Sequence, residues 1–132
     1  MVKTFIRQPR QIKEAREPLA TKVSFIVPVM IVLDSIPSNK VLHRYLFPED
    51  AVVISFSIYF EGLNGKLEVT ADLRFKEGGE YSKFPVKEGD NKLLEAKDIP
   101  EGTRVELSVP DYDKATHGNP EVWISYLYRI TK

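Results

Sequence analysis

Hydrophobic and polar residues along this chain alternate with a period of two. Over 51–60 the even positions Val52, Ile54, Phe56, Ile58 and Phe60 are large and apolar, while Ala51, Val53, Ser55, Ser57 and Tyr59 are smaller or amphipathic. Over 66–75 the phase is odd: Leu67, Val69, Ala71, Leu73 and Phe75 alternate with Lys66, Glu68, Thr70, Asp72 and Arg74. Side chains on a strand point to its two faces in turn, so the second segment has one dry side and one wet side. Glu61-Gly62-Leu63-Asn64-Gly65 lies between them, and its Gly and Asn-Gly residues suit the positive φ angles of a tight reversal. The pattern therefore predicts a hairpin of 51–60 with 66–75.

Alternation recurs over 103–109, where Val105, Leu107 and Val109 are expected to face inward behind the turn Ile99-Pro100-Glu101-Gly102. The segment 122–130 is apolar on both faces: Val122, Ile124, Tyr126, Tyr128 and Ile130 on one, Trp123 and Leu127 on the other. Such a strand is central and covered, or meets a partner on one side. The β-branched run 23–33 contains Pro28, which has no N–H for a ladder and so points to an edge strand or a bulge. Weaker strand patterns cover 41–47, 81–86 and 92–96, separated by Lys76-Glu77-Gly78-Gly79 and Glu88-Gly89-Asp90-Asn91. Only 11–16 could form a helical turn. Seven to eight short strands predict an all-β, antiparallel β-sandwich, jelly-roll-like, preceded by an extended N-terminal arm. The expected division is an arm over 1–22 and a sandwich over 23–132. A chain of 132 residues fits one such domain.

Charge changes this picture at one end. The whole chain is formally neutral, with 19 basic and 19 acidic residues. Residues 1–22, however, carry six bases against two acids, net +4, and the remainder thirteen bases against seventeen acids, net −4. The arm also holds Phe5, Ile6, Pro9 and Ile12, apolar enough to dock along a groove. A positive, partly apolar arm on a negative body suits contact with a neighbouring subunit, with charge guiding the encounter. The bases are too dispersed and stacking aromatics too few for nucleic acid to be the expected partner. The absence of cysteine excludes disulfides and thiolate chemistry. No apolar run approaches the ~20 residues of a membrane span, and the leading residues lack a signal-peptide pattern, so neither a membrane nor export by that route is expected.

Candidate chemistry is sparse. The densest polar stretch is the long loop 110–120, in which Asp111, Asp113, Asn119 and Glu121 offer oxygens and His117 an imidazole. Their spacing fits neither a calcium-binding EF-hand loop nor a complete zinc site, and a plain polar loop is the expected reading. His43 falls in a strand as a structural or surface residue. No nucleophile elbow, triad or phosphate loop is present, so no catalytic residue, metal or cofactor is expected. Tyr112, Trp123, Tyr126 and Tyr128 could form a sugar-binding platform, although alternation puts Trp123 opposite the two tyrosines.

The segments FPEDAVVISFSIYFEG, KLEVTADLRF, PEGTRVELSV and EVWISYLYR resemble, in pattern, the small jelly-roll or immunoglobulin-like accessory proteins of tailed-phage virions. The resemblance implies a non-enzymatic structural protein that decorates a capsid or joins fibres to it, assembled in a host cytoplasm and found in the virion. The expected partners are other protein subunits, as a homo-oligomer or with a capsid protein. Phe5, Ile6, Arg7 and Arg10 of the arm, with Trp123, Tyr126 and Tyr128, are the expected partner-binding residues. A carbohydrate-binding β-sandwich module is the alternative, with a glycan as its partner.

Overall fold

The structure, a computed structural model, describes residues 25–75, 81–91 and 98–131. Nine strands and one helical turn follow in order: β1 (Phe25–Leu33), β2 (Val41–Leu46), β3 (Ala51–Glu61), β4 (Val69–Arg74), β5 (Tyr81–Val86), β6 (Gly89–Asp90), β7 (Asp98–Ile99), β8 (Arg104–Ser108), α1 (Lys114–His117) and β9 (Glu121–Ile130). They form two antiparallel sheets. One has the order β1-β9-β3-β6, with β7 also on β3; the other has the order β2-β8-β4-β5.

Taken by partners, β1 pairs with β9, β2 with β8, β3 with β6 and β4 with β5. The chain is thus one long antiparallel hairpin rolled across itself, which is the jelly-roll arrangement of an all-β sandwich. This corrects the expected hairpin of 51–60 with 66–75. The two segments are neighbours in sequence but belong to different sheets, β3 bonding to β9 and β4 to β8 and β5. Alternation fixes which face of a strand is dry, and a strand that turns back beside its predecessor or crosses to the facing sheet satisfies it equally. The glycines read as a turn do adopt positive φ, 85° at Gly62 and 78° at Gly65, but they turn the chain over the edge of the sandwich.

The core lies between the sheets. Ile58, Val69, Leu107, Val109 and Val122 are wholly inaccessible, and Phe47, Ile124, Tyr126 and Tyr128 nearly so. In β4, β8 and β9 the inward residues are those the alternation predicts. In β3 they are not. Ala51 and Val53 face the core at one end, Phe56, Ile58 and Phe60 at the other, and Val52 and Ile54 are half-buried on the outer side. Leu127 is opposite Ser55 while Tyr128 is opposite Val53, so Ile54 is an extra residue. A β-bulge of this kind reverses the phase of alternation within one strand.

β1 is at the edge of its sheet among the described residues, as Pro28 requires, and β9 is central. The turn before β8 closes as expected: the backbone N–H and hydroxyl of Thr103 both donate to the carbonyl of Pro100, at 3.1 and 2.7 Å. The arm 1–22, the helical turn at 11–16 and the strand at 92–96 lie outside the described residues.

Candidate functional site

β9 lies between β1 and β3, and its outward residues are Trp123, Ser125, Leu127 and Arg129. Trp123 is opposite Val32 on β1 and Tyr59 on β3; Ser125 is opposite Met30 and Ser57; Leu127 is opposite Pro28 and Ser55; Arg129 is opposite Ile26 and Val52. The outer face is therefore a three-strand field, most apolar in its Val32–Trp123–Tyr59 row and along the whole of β1. Exposure here is large: 74% for Met30, 57% for Ile26, 48% for Val32, 49% for Tyr59 and 44% for Trp123. The indole N–H of Trp123 donates to Glu121 Oε1 at 2.9 Å. β1 runs nine residues, FIVPVMIVL, without a charge. Edge strands normally carry Lys, Glu or other protection against pairing with another chain, and among the described residues of this edge only Pro28 serves that purpose.

Trp123 is thus an exposed residue of the expected partner-binding set. Tyr126 and Tyr128 are not: they are 3% and 2% exposed, and their assignment to a partner surface is corrected. Even positions of β9 point between the sheets, where the two rings join Tyr45 and Phe47 of the facing sheet in an aromatic cluster. Tyr128 meets Phe47 edge-on at 4.8 Å, Tyr126 stacks on Phe56 at 5.4 Å, and the Tyr45 and Tyr128 hydroxyls hydrogen-bond. Phe5, Ile6, Arg7 and Arg10 lie outside the described residues.

His43 Nε2 hydrogen-bonds the Tyr126 hydroxyl at 2.8 Å, tying β2 to β9 across the sandwich. Burial lowers the His43 pKa and raises that of Tyr126 well above the usual phenol range. Tyr128 is raised too, by burial and then by its bond to Tyr45. For His43 the unfolded chain binds the proton more readily than the folded one. Its contribution to stability is therefore complete above the ordinary imidazole value of about 6.5 and lost as pH falls below it. The unfolding free energy is expected to drop between pH 7 and 5, and His43→Gln to flatten that slope. An unchanged slope in urea titrations of the variant would exclude His43 as its source.

The 110–120 loop is locally satisfied. Asp113 caps α1, accepting from Ala115 N at 3.3 Å and from the Thr116 hydroxyl at 2.9 Å, and Asp111 Oδ2 accepts from Glu68 N at 3.2 Å. His117 is buried, and its Nδ1 accepts from Asp113 N at 3.0 Å. Tyr112 is also buried, stacked on His117, with its hydroxyl donating to Gly118 O at 2.7 Å. The aromatic residues grouped as a sugar platform therefore do not converge. Among the described residues no three of His, Asp and Glu are grouped so as to hold a metal ion. The cavity between the sheets is about 20 Å³ and lined by Phe47, Val53, Phe56, Leu73, Ile99 and Tyr126 among others, too small for any organic substrate.

Sequence reasoning missed Met30, Val32 and Tyr59. The available signal was an edge strand apolar at every position, since an edge strand with one solvated face should alternate. No protein-family model and no curated protein matches this chain.

Proposed function

We propose that the protein is a non-enzymatic structural protein that assembles with neighbouring subunits, of its own kind or of a capsid, through the outer face of the β1-β9-β3 sheet. The arm 1–22, with Phe5, Ile6, Arg7 and Arg10, is the second contact in this reading. The exposed apolar field around Met30, Val32, Tyr59 and Trp123 carries it. Apolar patches of a few hundred Å² on a small domain mark interaction surfaces. Burying the exposed part of Trp123 alone, on the order of 100 Å², contributes roughly 2.5 kcal/mol. Jelly rolls recur in viral capsids and in lectins, so the fold is compatible with decoration of a virion and with the pattern-level resemblance to phage accessory proteins.

The test is mass by light scattering of the full chain, alone and with capsid shells. The expected result is an oligomer or a shell-bound protein, which the pair Met30→Asp and Trp123→Ser converts to a monomer with an unchanged circular dichroism spectrum. Loss of binding on removal of residues 1–18, with the fold intact, is expected for the arm. A wild-type monomer that binds no shell would sink the proposal. One observation favours a glycan instead: Trp123 and Tyr59 are directly opposite each other on adjacent strands, and both are exposed. Binding on a glycan array that is abolished by Trp123→Ser would move the function there.

A further inference from the structure

β1 lacks cover on both faces and along one edge. Among the described residues only β9 pairs with it, so its other edge is an open ladder. The nearest strand of the facing sheet, β2, is tied to β9 instead, by His43 to Tyr126 and by Tyr45 to Tyr128. The inward residues Val27, Val29, Ile31 and Leu33 are only half-buried, whereas their neighbours on β9, Tyr128, Tyr126, Ile124 and Val122, are buried. Pro28 sets the polarity of the open ladder. The N–H and C=O of one residue point to the same side of a strand and alternate along it. Proline is accommodated in a paired strand where its nitrogen faces the free edge, so Ile26, Pro28, Met30 and Val32 present their backbone groups there.

We propose that this edge pairs with the β1 of a second copy, antiparallel about a twofold axis through Ile31, so that two sandwiches share one continuous sheet. In that register Met30 of each chain faces Val32 of the other, which satisfies the N–H groups of both residues in both chains and leaves Pro28 outside the ladder. Ile31 meets Ile31, and Val29 meets Leu33, as apolar pairs on the inner face. β1 has no charge to repel its copy, and the charges at its two ends are unlike: Asp34 follows Leu33, and Arg129 is opposite Ile26. Antiparallel pairing brings the Asp34 end of each chain to the Arg129 end of the other. Edge pairing buries less than the ~1,200 Å² of a standard interface, so the dimer forms in a concentration-dependent way. The proposal rests on the assembly reading for self-association, but its contact is the edge of that sheet and not its outer face.

The experiment uses the full chain, which has no cysteine, so Ile31→Cys supplies a single thiol. At a twofold through residue 31 the two Cα atoms are about 4.5 Å apart, within disulfide reach, and mild oxidation is expected to give a linked dimer. Met30 is the more exposed side chain. Met30→Cys nevertheless lies about 7–8 Å from its own copy on the diagonal and should cross-link at least ~10-fold more slowly. Light scattering of the wild-type chain over a concentration series is expected to show dimers. Val32→Pro removes an N–H aimed at the copy and not at β9, and should weaken dimerisation at least ~10-fold, because the twofold loses two ladder bonds at once. Trp123→Ser, which alters the outer face and not the edge, should leave the dimer intact. The cysteine pair decides the question even where the proline variant fails to fold. Equal cross-linking of the two cysteine variants, or a wild-type chain that stays monomeric, would overturn the proposal. A dimer that Trp123→Ser dissolves and Val32→Pro does not would also overturn it, with the outer-face contact left standing. So would loss of the dimer on removal of residues 1–18, which would make the arm the occupant of the edge. Dimers linked at Ile31→Cys that bind no capsid shell would support the edge and remove the capsid from the proposed function.

Discussion

Replacing Tyr128 with alanine is expected to lower the unfolding free energy by about 3–5 kcal/mol, the cost typical of deleting a fully buried aromatic ring. That is a large share of the roughly 5–15 kcal/mol available to a domain of this size. The ring is 2% exposed on the inner side of the central strand, opposite Val27 on one neighbour and Val53 on the other. Across the sandwich it touches Phe47 and Tyr45, so its removal opens a void bounded by both sheets. Neither sheet can close that space without shifting a ladder, which limits relaxation and keeps the cost high. Tyr128→Phe keeps the ring and loses only the hydroxyl bond to Tyr45, a change of about 1 kcal/mol, because Tyr45 is only partly buried. Guanidinium unfolding of both variants separates packing from hydrogen bonding. Similar losses in the two would mean the hydroxyl pair, not the ring, joins the sheets there.

The second large effect is expected at Gly118. It ends α1 with φ 80° and ψ −151°, a backbone region open almost only to glycine. A Cβ there would approach Asn64 Nδ2 to 3.1 Å. This point also fastens two loops: Asn64 N donates to His117 O at 3.0 Å, and the Tyr112 hydroxyl donates to Gly118 O at 2.7 Å. Gly118→Ala combines backbone strain of about 1–3 kcal/mol with displacement of Asn64. Together these should lower stability by roughly 2–4 kcal/mol. Thermal unfolding measures it, and Gly62→Ala is the comparison: φ there is also positive, at 85°, but nothing lies within 4 Å of an added Cβ. If the two variants lose equal stability, the contact with Asn64 contributes nothing and strain alone operates.

How far the sequence can be read depends on what a residue reports. The run Leu67, Val69, Ala71, Leu73 names its own dry face, and burial follows it residue by residue. Pro28 placed its strand at an edge because a missing N–H is a local fact. Pairing is different: nothing in 51–60 or 66–75 says whether the second strand returns beside the first or crosses to the facing sheet. The bulge at Ile54 was hidden for a related reason, since Val52 and Ile54 are as apolar as Phe56 and Ile58, and only the register against Leu127 and Tyr128 exposes the extra residue. At the candidate site, opposite phases on β9 separated Trp123 from Tyr126 and Tyr128, but choosing the exposed set required knowing on which side the second sheet lies. The helical turn at 114–117 was missed, because only 11–16 was read as helical and 110–120 as a plain loop; Asp113 followed four residues later by His117-Gly118 was the start and stop signal on offer.

Because β9 occupies the gap between β1 and β3, the sheet that carries the apolar field has no middle until residues 121–130 have been made. A ribosome adding about 5–20 residues per second leaves β1 and β3 waiting several seconds with unbonded edges turned toward each other's vacancy. During that interval FIVPVMIVL, nine residues without a charge, stays open to pairing with other chains.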